Sequence, residues 1–146
     1  MKLSTRARYG TRALLDLAIH KSQEPVPLKD ISRRQDISLH YLEHIIAPLV
    51  AAGIVKSLRG VQGGISLARP PREIRLSEVV NLLEGSISPV ECIQSPDTCS
   101  RSGYCATRDI WAEMAEAMNG VLEAITLADL VERQRRKEPA AAMYNI

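Results

Sequence analysis

The residues best suited to chemistry in this 146-residue chain are its three cysteines, Cys92, Cys99 and Cys105, spaced C-x6-C-x5-C. The residues between them include Ser, Pro, Asp and Gly, which favour tight turns, and the stretch has neither helical nor strand periodicity. An irregular loop that brings three soft thiolates together between ordered elements is typical of a metal site. The sequence therefore predicts a metal cofactor bound by residues 92–105.

Three cysteines could also form disulfides, act as redox thiols, bind zinc or serve as a nucleophile. An odd number of cysteines excludes a complete disulfide framework. The start of the chain is interrupted by Lys2, Arg6, Arg8 and Arg12, so no signal peptide is expected, and a reducing, cytoplasmic location is favoured. Thiols that act only by redox chemistry remain one alternative. Zinc is disfavoured because paired CxxC spacing is absent. An enzyme is not expected, because no histidine lies in the loop to activate a cysteine.

Charge is divided unequally between the two halves of the chain. Residues 1–70 carry 11 Lys and Arg against 5 Asp and Glu, whereas residues 71–146 carry 8 against 12. The net charge of the whole chain is +2. A basic first half predicts contact with a polyanion. Four Tyr, one Trp and no Phe argue against single-strand binding by base stacking, so duplex DNA is favoured. No apolar run is long enough to span a membrane.

Residues 28–50 have the pattern of a helix-turn-helix. Residues 28–35 predict a short helix, residues 36–38 predict a turn, and Ser38 is a favourable N-cap for the next helix. Apolar residues at 42, 45, 46, 49 and 50 form one inner stripe, so the opposite polar face would enter the major groove. The predicted base contacts are Ser38, His40, Tyr41, Glu43 and His44. Glu43 repels phosphate and pairs best with cytosine N4, so it is predicted to select among operators, with a solvated charge as the alternative.

Two further segments are predicted to contact DNA. Residues 54–58 and 65–68 predict two strands around a glycine-rich turn, which together form a wing. Arg59 at its base is assigned to a phosphate or the minor groove, and Gln62 in the turn is a second contact. A nucleotide-binding loop is not favoured, because no GK[ST] follows the glycines. The first helix begins with three more candidates, Ser4, Arg6 and Arg8. Cations there oppose the helix dipole, which indicates a bound phosphate or, alternatively, a solvated basic face.

The second half predicts a connection and a dimerisation element. Residues 71–105 contain a short helix capped by Ser77, followed by the cysteine loop. Residues 106–136 predict a long helix capped by Thr107, with a second amphipathic segment from Thr126. Its apolar seam, on steps of three and four, consists of Ile110, Met114, Ala117, Val121 and Ala124. Nothing else in the chain is large enough to cover this seam, which predicts a second copy.

The predicted fold class is therefore mostly α: a winged helix-turn-helix DNA-binding region over residues 1–70, with a two-stranded wing and a long C-terminal dimerisation helix. Residues 137–146 are predicted to form a disordered tail. No internal repeat divides the chain further.

These features together resemble the IscR-type family of winged-helix transcription regulators, which includes iron–sulfur and nitric-oxide sensors such as NsrR. The resemblance covers about residues 1–135 and rests on KLSTRARYG, ISLHYLEHI, LRGVQGG and three cysteines before the long helix around Trp111. It implies a homodimer that binds palindromic operators as a repressor or activator, with control of iron–sulfur cluster biogenesis genes. It implies neither a membrane partner nor a small-molecule substrate.

By the same resemblance, the three cysteines would be ligands of an iron–sulfur cluster, with [2Fe–2S] favoured over [4Fe–4S]. The fourth ligand is open, because Arg108 stands where many relatives place a histidine. Arg6 and Arg8 occupy the region from which some relatives supply a carboxylate. Oxygen ligands considered for this position are Asp97, Thr107 and Asp109. A nitric-oxide or redox sensor of the same fold, and a zinc or thiol-switch regulator without a cluster, remain alternatives.

Overall fold

A computed structural model describes the backbone of residues 2–144 and the side-chain surroundings of residues 2–139. Over this part of the chain the fold is mostly helical, with one two-stranded antiparallel sheet. The helices are α1 (Thr5–Ile19), α2 (Leu28–Gln35), α3 (Leu39–Ala51), α4 (Leu76–Glu84), α5 (Ala106–Ala124) and α6 (Leu127–Tyr144), and the strands are β1 (Val55–Leu58) and β2 (Gly64–Leu67). The predicted fold class is confirmed. None of these helices is long and apolar enough to cross a membrane.

One core lies between α1, α3, α4 and the wing. The apolar residues predicted for the inner faces are buried: Ala7, Leu14, Leu17 and Ala18 of α1, Leu42, Ile45, Ile46 and Leu49 of α3, and Leu76, Val79, Val80 and Leu83 of α4. Their spacing of three and four residues places them on one side of each helix. Helix α3 is therefore packed against the core along its whole apolar face, and its polar face is left on the outside.

The end of the chain differs from a single long dimerisation helix. The helical segment breaks after α5, and Thr126 begins α6 with a capping box, in which its N–H and hydroxyl donate to the Asp129 carboxylate at 2.9 and 3.0 Å. Leu127 and Val131 are buried in the core, so α6 packs back onto the DNA-binding region. Helix α6 extends to Tyr144, through residues 137–144 of the predicted tail, with Pro139 inside the helix. Residues 145–146 of that predicted tail lie outside the described residues.

The wing is fixed to the rest of the domain by a backbone bridge. Val26 and Ile65 exchange two N–H···O bonds of 2.8 Å, and β1 and β2 pair with Val55 opposite Leu67. Gly64 lies directly against this bridge, where an added Cβ would overlap the carbonyl oxygen of Val26. The backbone of the wing can therefore approach Val26 and Pro27, just before α2, this closely only because residue 64 has no side chain.

Replacing Gly64 by Ala is expected to lower the free energy of unfolding by about 2 kcal/mol, because β2 must move away from Val26. Urea denaturation measures this loss. The control is Gly103→Ala, since an added Cβ at Gly103 has no atom within 4 Å, and its effect is expected to stay within about 0.5 kcal/mol. Equal stabilities for the two variants would contradict the close approach at Gly64.

Candidate nucleic-acid interface and cysteine loop

The polar face of α3 lies on the surface beside the wing. Ser38 caps the helix, and its hydroxyl accepts a hydrogen bond from the Tyr41 N–H at 3.2 Å. Tyr41 is half-buried, and its ring packs edge-on against Tyr9 of α1, with centroids 6.0 Å apart. The exposed members of the predicted reading set are Ser38, His40, Glu43 and His44. Tyr41 therefore helps to position α3, while the other four are accessible to a ligand.

A shallow groove separates α3 from the wing. Its lining includes Lys29, Leu39, Glu43 and Arg59. Arg59 and Gln62 are both exposed. The reading helix and the wing thus present polar groups to one side of the molecule, as contact with adjacent grooves of a duplex requires. Lys29 was missed from the sequence, because only the tertiary fold shows that the start of α2 faces the wing.

The start of α1 combines two exposed arginines with a fixed serine. Arg6 and Arg8 are exposed, whereas the Ser4 hydroxyl accepts a hydrogen bond from the Ala7 N–H at 3.1 Å. The Ser4 N–H and hydroxyl also donate to the Glu84 carboxylate, at 2.9 and 2.6 Å. Ser4 thereby joins the start of α1 to the end of α4, and a DNA contact for Ser4 stays a prediction.

A buried carboxylate that the sequence analysis missed joins α1 to α2. Asp16 is only 2% exposed, and it accepts hydrogen bonds from Arg34 Nε and Nη2 at 3.0 and 2.6 Å, and from the Gln35 amide at 2.9 Å. The hydrogen bond with Asp16 raises the pKa of the Arg34 guanidinium above its usual value. An acidic residue on the apolar face of a helix was the available signal, because such a residue is rarely buried without a cationic partner.

The three cysteines lie on an irregular loop between α4 and α5, as predicted. The loop contains two short 3-10 turns, Glu91–Ile93 and Pro96–Thr98. Cys92 lies in the first turn, Cys99 follows the second and Cys105 is the N-cap of α5. All three are free thiols of intermediate burial. In the part of the chain that the structure describes, no three His, Cys, Asp or Glu side chains are grouped closely enough to hold a metal ion.

The loop fits an iron–sulfur cluster in ligand type, and its three thiols would be three of the usual four ligands. Thiolates are the preferred ligands of such clusters. Arg108, which cannot be a ligand, donates from Nε to the backbone carbonyl of Cys92 at 3.2 Å and so joins the start of α5 to the first turn of the loop. The oxygen ligands considered from the sequence are all exposed: Asp97, Thr107 and Asp109. Closure of the loop would be needed to bring the three thiols onto one group.

The thiol of Cys105 is more acidic than an ordinary cysteine. A hydrogen bond with the Thr107 hydroxyl, with 3.2 Å between Sγ and Oγ1, is the main cause that lowers its pKa, followed by a bond from the backbone of Arg108. A position at a helix N-terminus favours the thiolate in the same direction. Because the pKa is lowered, a larger fraction of Cys105 is thiolate at neutral pH than for a free cysteine.

Alkylation of Cys105 by iodoacetamide is expected to reach half its maximal rate at a lower pH than alkylation of a model thiol. Thr107→Val should move this midpoint to higher pH, because it removes the hydrogen bond to the thiolate. Rates at Cys105 are followed by peptide mass spectrometry on the reduced, cofactor-free protein. Thr98→Val is the control, since the Thr98 hydroxyl donates to the Ser95 carbonyl instead. A midpoint unaffected by Thr107→Val would contradict this account.

Comparison with known proteins agrees with this architecture. A family model described as "Rrf2: Iron-dependent Transcriptional regulator" matches residues 3–133. The chain belongs to the Rrf2 family. It is 49% identical over 131 residues to the rrf2 protein of Nitratidesulfovibrio vulgaris, covering 90% of this chain and 87% of that protein.

Two solved structures of Rrf2-type regulators resemble this one closely. The structure of T. potens IscR has a TM-score of 0.75 and 40% identity, covering 92% of this chain and 88% of that one. The structure of CymR, the global cysteine regulator of B. subtilis, has a TM-score of 0.76 and 37% identity, covering 91% and 98%. The resemblance drawn from the sequence is confirmed. The protein is a winged helix-turn-helix transcription regulator that binds DNA, and its family is one of regulators rather than enzymes.

Proposed function

We propose that this Rrf2-family protein is a homodimer that binds palindromic operators and senses iron–sulfur cluster status through Cys92, Cys99 and Cys105. The cluster is more consistent with [2Fe–2S] than with [4Fe–4S]. The proposed targets are cluster biogenesis genes, which the protein represses or activates in the cytoplasm, with no membrane partner and no small-molecule substrate. One observation carries this proposal: three free thiols lie on the loop that leads from α4 into α5, a helix with an exposed apolar face.

The exposed face of α5 supports the homodimer. Ala115 is the one buried residue of this 19-residue helix. Ile110 is 51% exposed and Val121 is 65% exposed, although both are large and apolar. Both belong to the seam predicted to pair with a second copy. A two-fold dimer would place two reading helices on the two halves of a palindrome.

Contacts at both ends of the segment from the cysteine loop to α5 support coupling to DNA. At the first end, the Glu84 carboxylate holds Ser4 and thus the start of α1. At the other end, Leu76 N–H donates to the Ile125 carbonyl at 2.9 Å, and Leu127 N–H donates to the Ile74 carbonyl at 2.8 Å. A cluster, when bound, would cross-link the loop between these attachments.

A bound cluster would change the free energy of operator binding. The size of the change equals the difference in cluster-binding free energy between the conformation that binds DNA and the one that does not. This relation holds whether the cluster-loaded form is the repressor or the activator. Within the exposed face of α3, we assign Glu43 to selection among operators, because Glu43 lines the same groove as Arg59 and a carboxylate pairs best with cytosine N4.

A thiol switch on the same fold is the second candidate. The lowered pKa of Cys105 and the presence of Arg108 at the position of the expected histidine both favour it. In this case reversible oxidation of Cys105, rather than cluster occupancy, would change DNA affinity. A nitric-oxide sensor would use the cluster itself, and a zinc regulator would use the thiols without inorganic sulfide.

Anaerobic purification, followed by a visible spectrum and counts of iron and sulfide per chain, tests the cluster proposal. We expect a brown protein that loses its visible absorbance when any of Cys92, Cys99 or Cys105 is replaced by Ser. Ser102→Ala, in the same loop, should retain it. A colourless protein with neither iron nor sulfide would reject the cluster. Operator affinity that then responds to peroxide and recovers with a reductant would support the thiol switch.

Arg59→Ala is expected to weaken operator binding by about tenfold, because it removes a cationic contact from the wing. If the contact is to a phosphate, the slope of log affinity against log salt should fall by about 1. Fluorescence anisotropy at several salt concentrations measures both effects. Arg136→Ala is the control, since Arg136 is exposed on α6, where its Nε donates to the Glu132 carbonyl. An unchanged affinity for Arg59→Ala would show that Arg59 does not contact the operator.

A further inference from the structure

Two histidines one helical turn apart form a pair on the exposed face of α3. The rings of His40 and His44 meet edge to face, with centroids 4.6 Å apart and planes at 89°. Their Nε2 atoms lie 3.3 Å apart, and both residues are exposed. The two Nε2 atoms are therefore at hydrogen-bonding distance and close enough to share one ligand in front of α3.

We propose that His40 and His44 form a two-nitrogen binding site for a borderline transition metal ion, with Zn²⁺ as the reference ion. Tetrahedral zinc with bonds of about 2.0–2.1 Å places two nitrogen ligands about 3.3 Å apart, which matches the separation of these two atoms. Imidazole nitrogen suits zinc, copper and nickel ions. A hydrogen bond between the rings would also bring the nitrogens together. Metal binding replaces that bond, and each neutral ring then keeps its proton on Nδ1.

The backbone positions of the two histidines are fixed by α3 before any metal arrives. Ser38 caps α3, and Leu42 and Ile45, which lie between or beside the histidines in sequence, are fully buried. The fixed backbone reduces the entropy lost when the second nitrogen binds. Across the described residues no third His, Cys, Asp or Glu joins the pair, so water would complete the coordination. Such a site exchanges its metal readily, unlike a closed structural zinc site.

The site also bears on DNA reading, and this step rests on the proposed function. The same Nε2 atoms would be used for base contacts and for the metal. A hydrated ion in front of α3 would keep the helix beyond the 2.7–3.2 Å range that direct hydrogen bonds require. Its positive charge would still attract phosphates without regard to sequence. Zinc is therefore expected to lower the ratio of operator affinity to non-operator affinity.

Histidine nitrogen NMR during a Zn²⁺ titration tests the site itself. The full-length chain carries Ser in place of the three cysteines, so that thiols do not compete for zinc. The Nε2 signals of His40 and His44 should shift together, with one ion per chain, while those of His20 stay unchanged. His44→Ala should weaken binding by about tenfold or more, because the second nitrogen binds intramolecularly. His20→Ala should have no effect.

Three results would overturn the proposal: a shift of only one of the two rings, equal shifts at all three histidines, or unchanged zinc affinity in His44→Ala. If the serine variant does not fold, the same titration on the intact chain with alkylated cysteines gives the same readout. Operator and non-operator affinities with and without zinc form a separate arm. A ratio that rises or stays constant there would overturn the effect on DNA reading, whereas absence of operator binding by zinc-free wild-type protein both with and without a cluster would reject the proposed function.

Discussion

Replacing Asp16 by Ala is expected to destabilise the protein by about 3 kcal/mol, because it leaves the Arg34 guanidinium without its carboxylate. This is the low end of the range for a broken buried pair, since the Arg34 side chain is 27% exposed and regains some hydration. The hydrogen bond from Gln35 to the same carboxylate is lost as well. Equilibrium denaturation in urea measures the change, and the midpoint should move while the slope stays constant.

Two neighbouring arginines of α2 provide the matched control. Arg34→Ala should destabilise the protein strongly, because it leaves the Asp16 carboxylate buried and unpaired. Arg33→Ala should change stability by less than about 0.5 kcal/mol, since Arg33 is 77% exposed and its nearest partner atom, in Asp30, is 3.5 Å away. Equal effects for the two arginines would show that the Asp16 pair contributes nothing specific.

The position of Asp16 also makes this pair relevant to DNA binding. Its partners lie at the end of α2, immediately before the turn that leads to α3. The pair therefore sets how the first helix of the helix-turn-helix sits on α1. We expect Asp16→Ala to lower operator affinity even under conditions where the variant is fully folded, because the position of the reading helix is then less well defined.

Local signals explain why the helix-turn-helix could be predicted closely. Helix α2 was predicted over residues 28–35, the range found, because Pro27 precedes it and residues 36–38 were assigned to a turn. In the structure Asp36 ends the helix in a left-handed conformation with φ of 53°. Ser38 caps α3 as predicted. The glycine-rich turn likewise indicated the two strands of the wing on either side of it. Each of these features depends on residues within a few positions of one another.

Interactions between distant residues explain what the sequence could not show. Ser77 was predicted to cap α4, yet it lies inside the helix and its hydroxyl donates to Glu123 at 2.5 Å. The cap of α5 is a local exception: Thr107 was predicted, but Cys105 is the N-cap and Thr107, two residues away, bonds to its thiol. The Ser4–Glu84 contact spans 80 positions. Partners this far apart leave no periodic signal.

The cysteine loop shows the same division between chemistry and geometry. Residue types and spacing indicated three thiol ligands and an irregular backbone, and the structure has that backbone. The arrangement of the thiols in space depends on loop conformation, which has no hydrophobic pattern to define it. The identity of a fourth ligand depends in addition on residues brought in by folding or by a second copy.

In the proposed homodimer, Val121→Glu is expected to convert the dimer into monomers, because it places a charge in the apolar seam of α5. Operator affinity should fall by about 100-fold or more, since each monomer then binds one half-site without the advantage of linkage. Sedimentation velocity measures the first effect and anisotropy on full operators the second.

The outcome on half-sites separates loss of dimerisation from loss of the reading surface. Val121→Glu should bind a single half-site with the same affinity as the unsubstituted protein does, because α3 and the wing are unchanged. Val61→Glu, which places the same charge at the exposed tip of the wing, should remain a dimer. If Val121→Glu also remains a dimer, the exposed face of α5 is not the interface, and the two copies contact each other through another surface. In that case the cysteine loop, which leads directly into α5, would lose its most direct route to the geometry of the two reading helices.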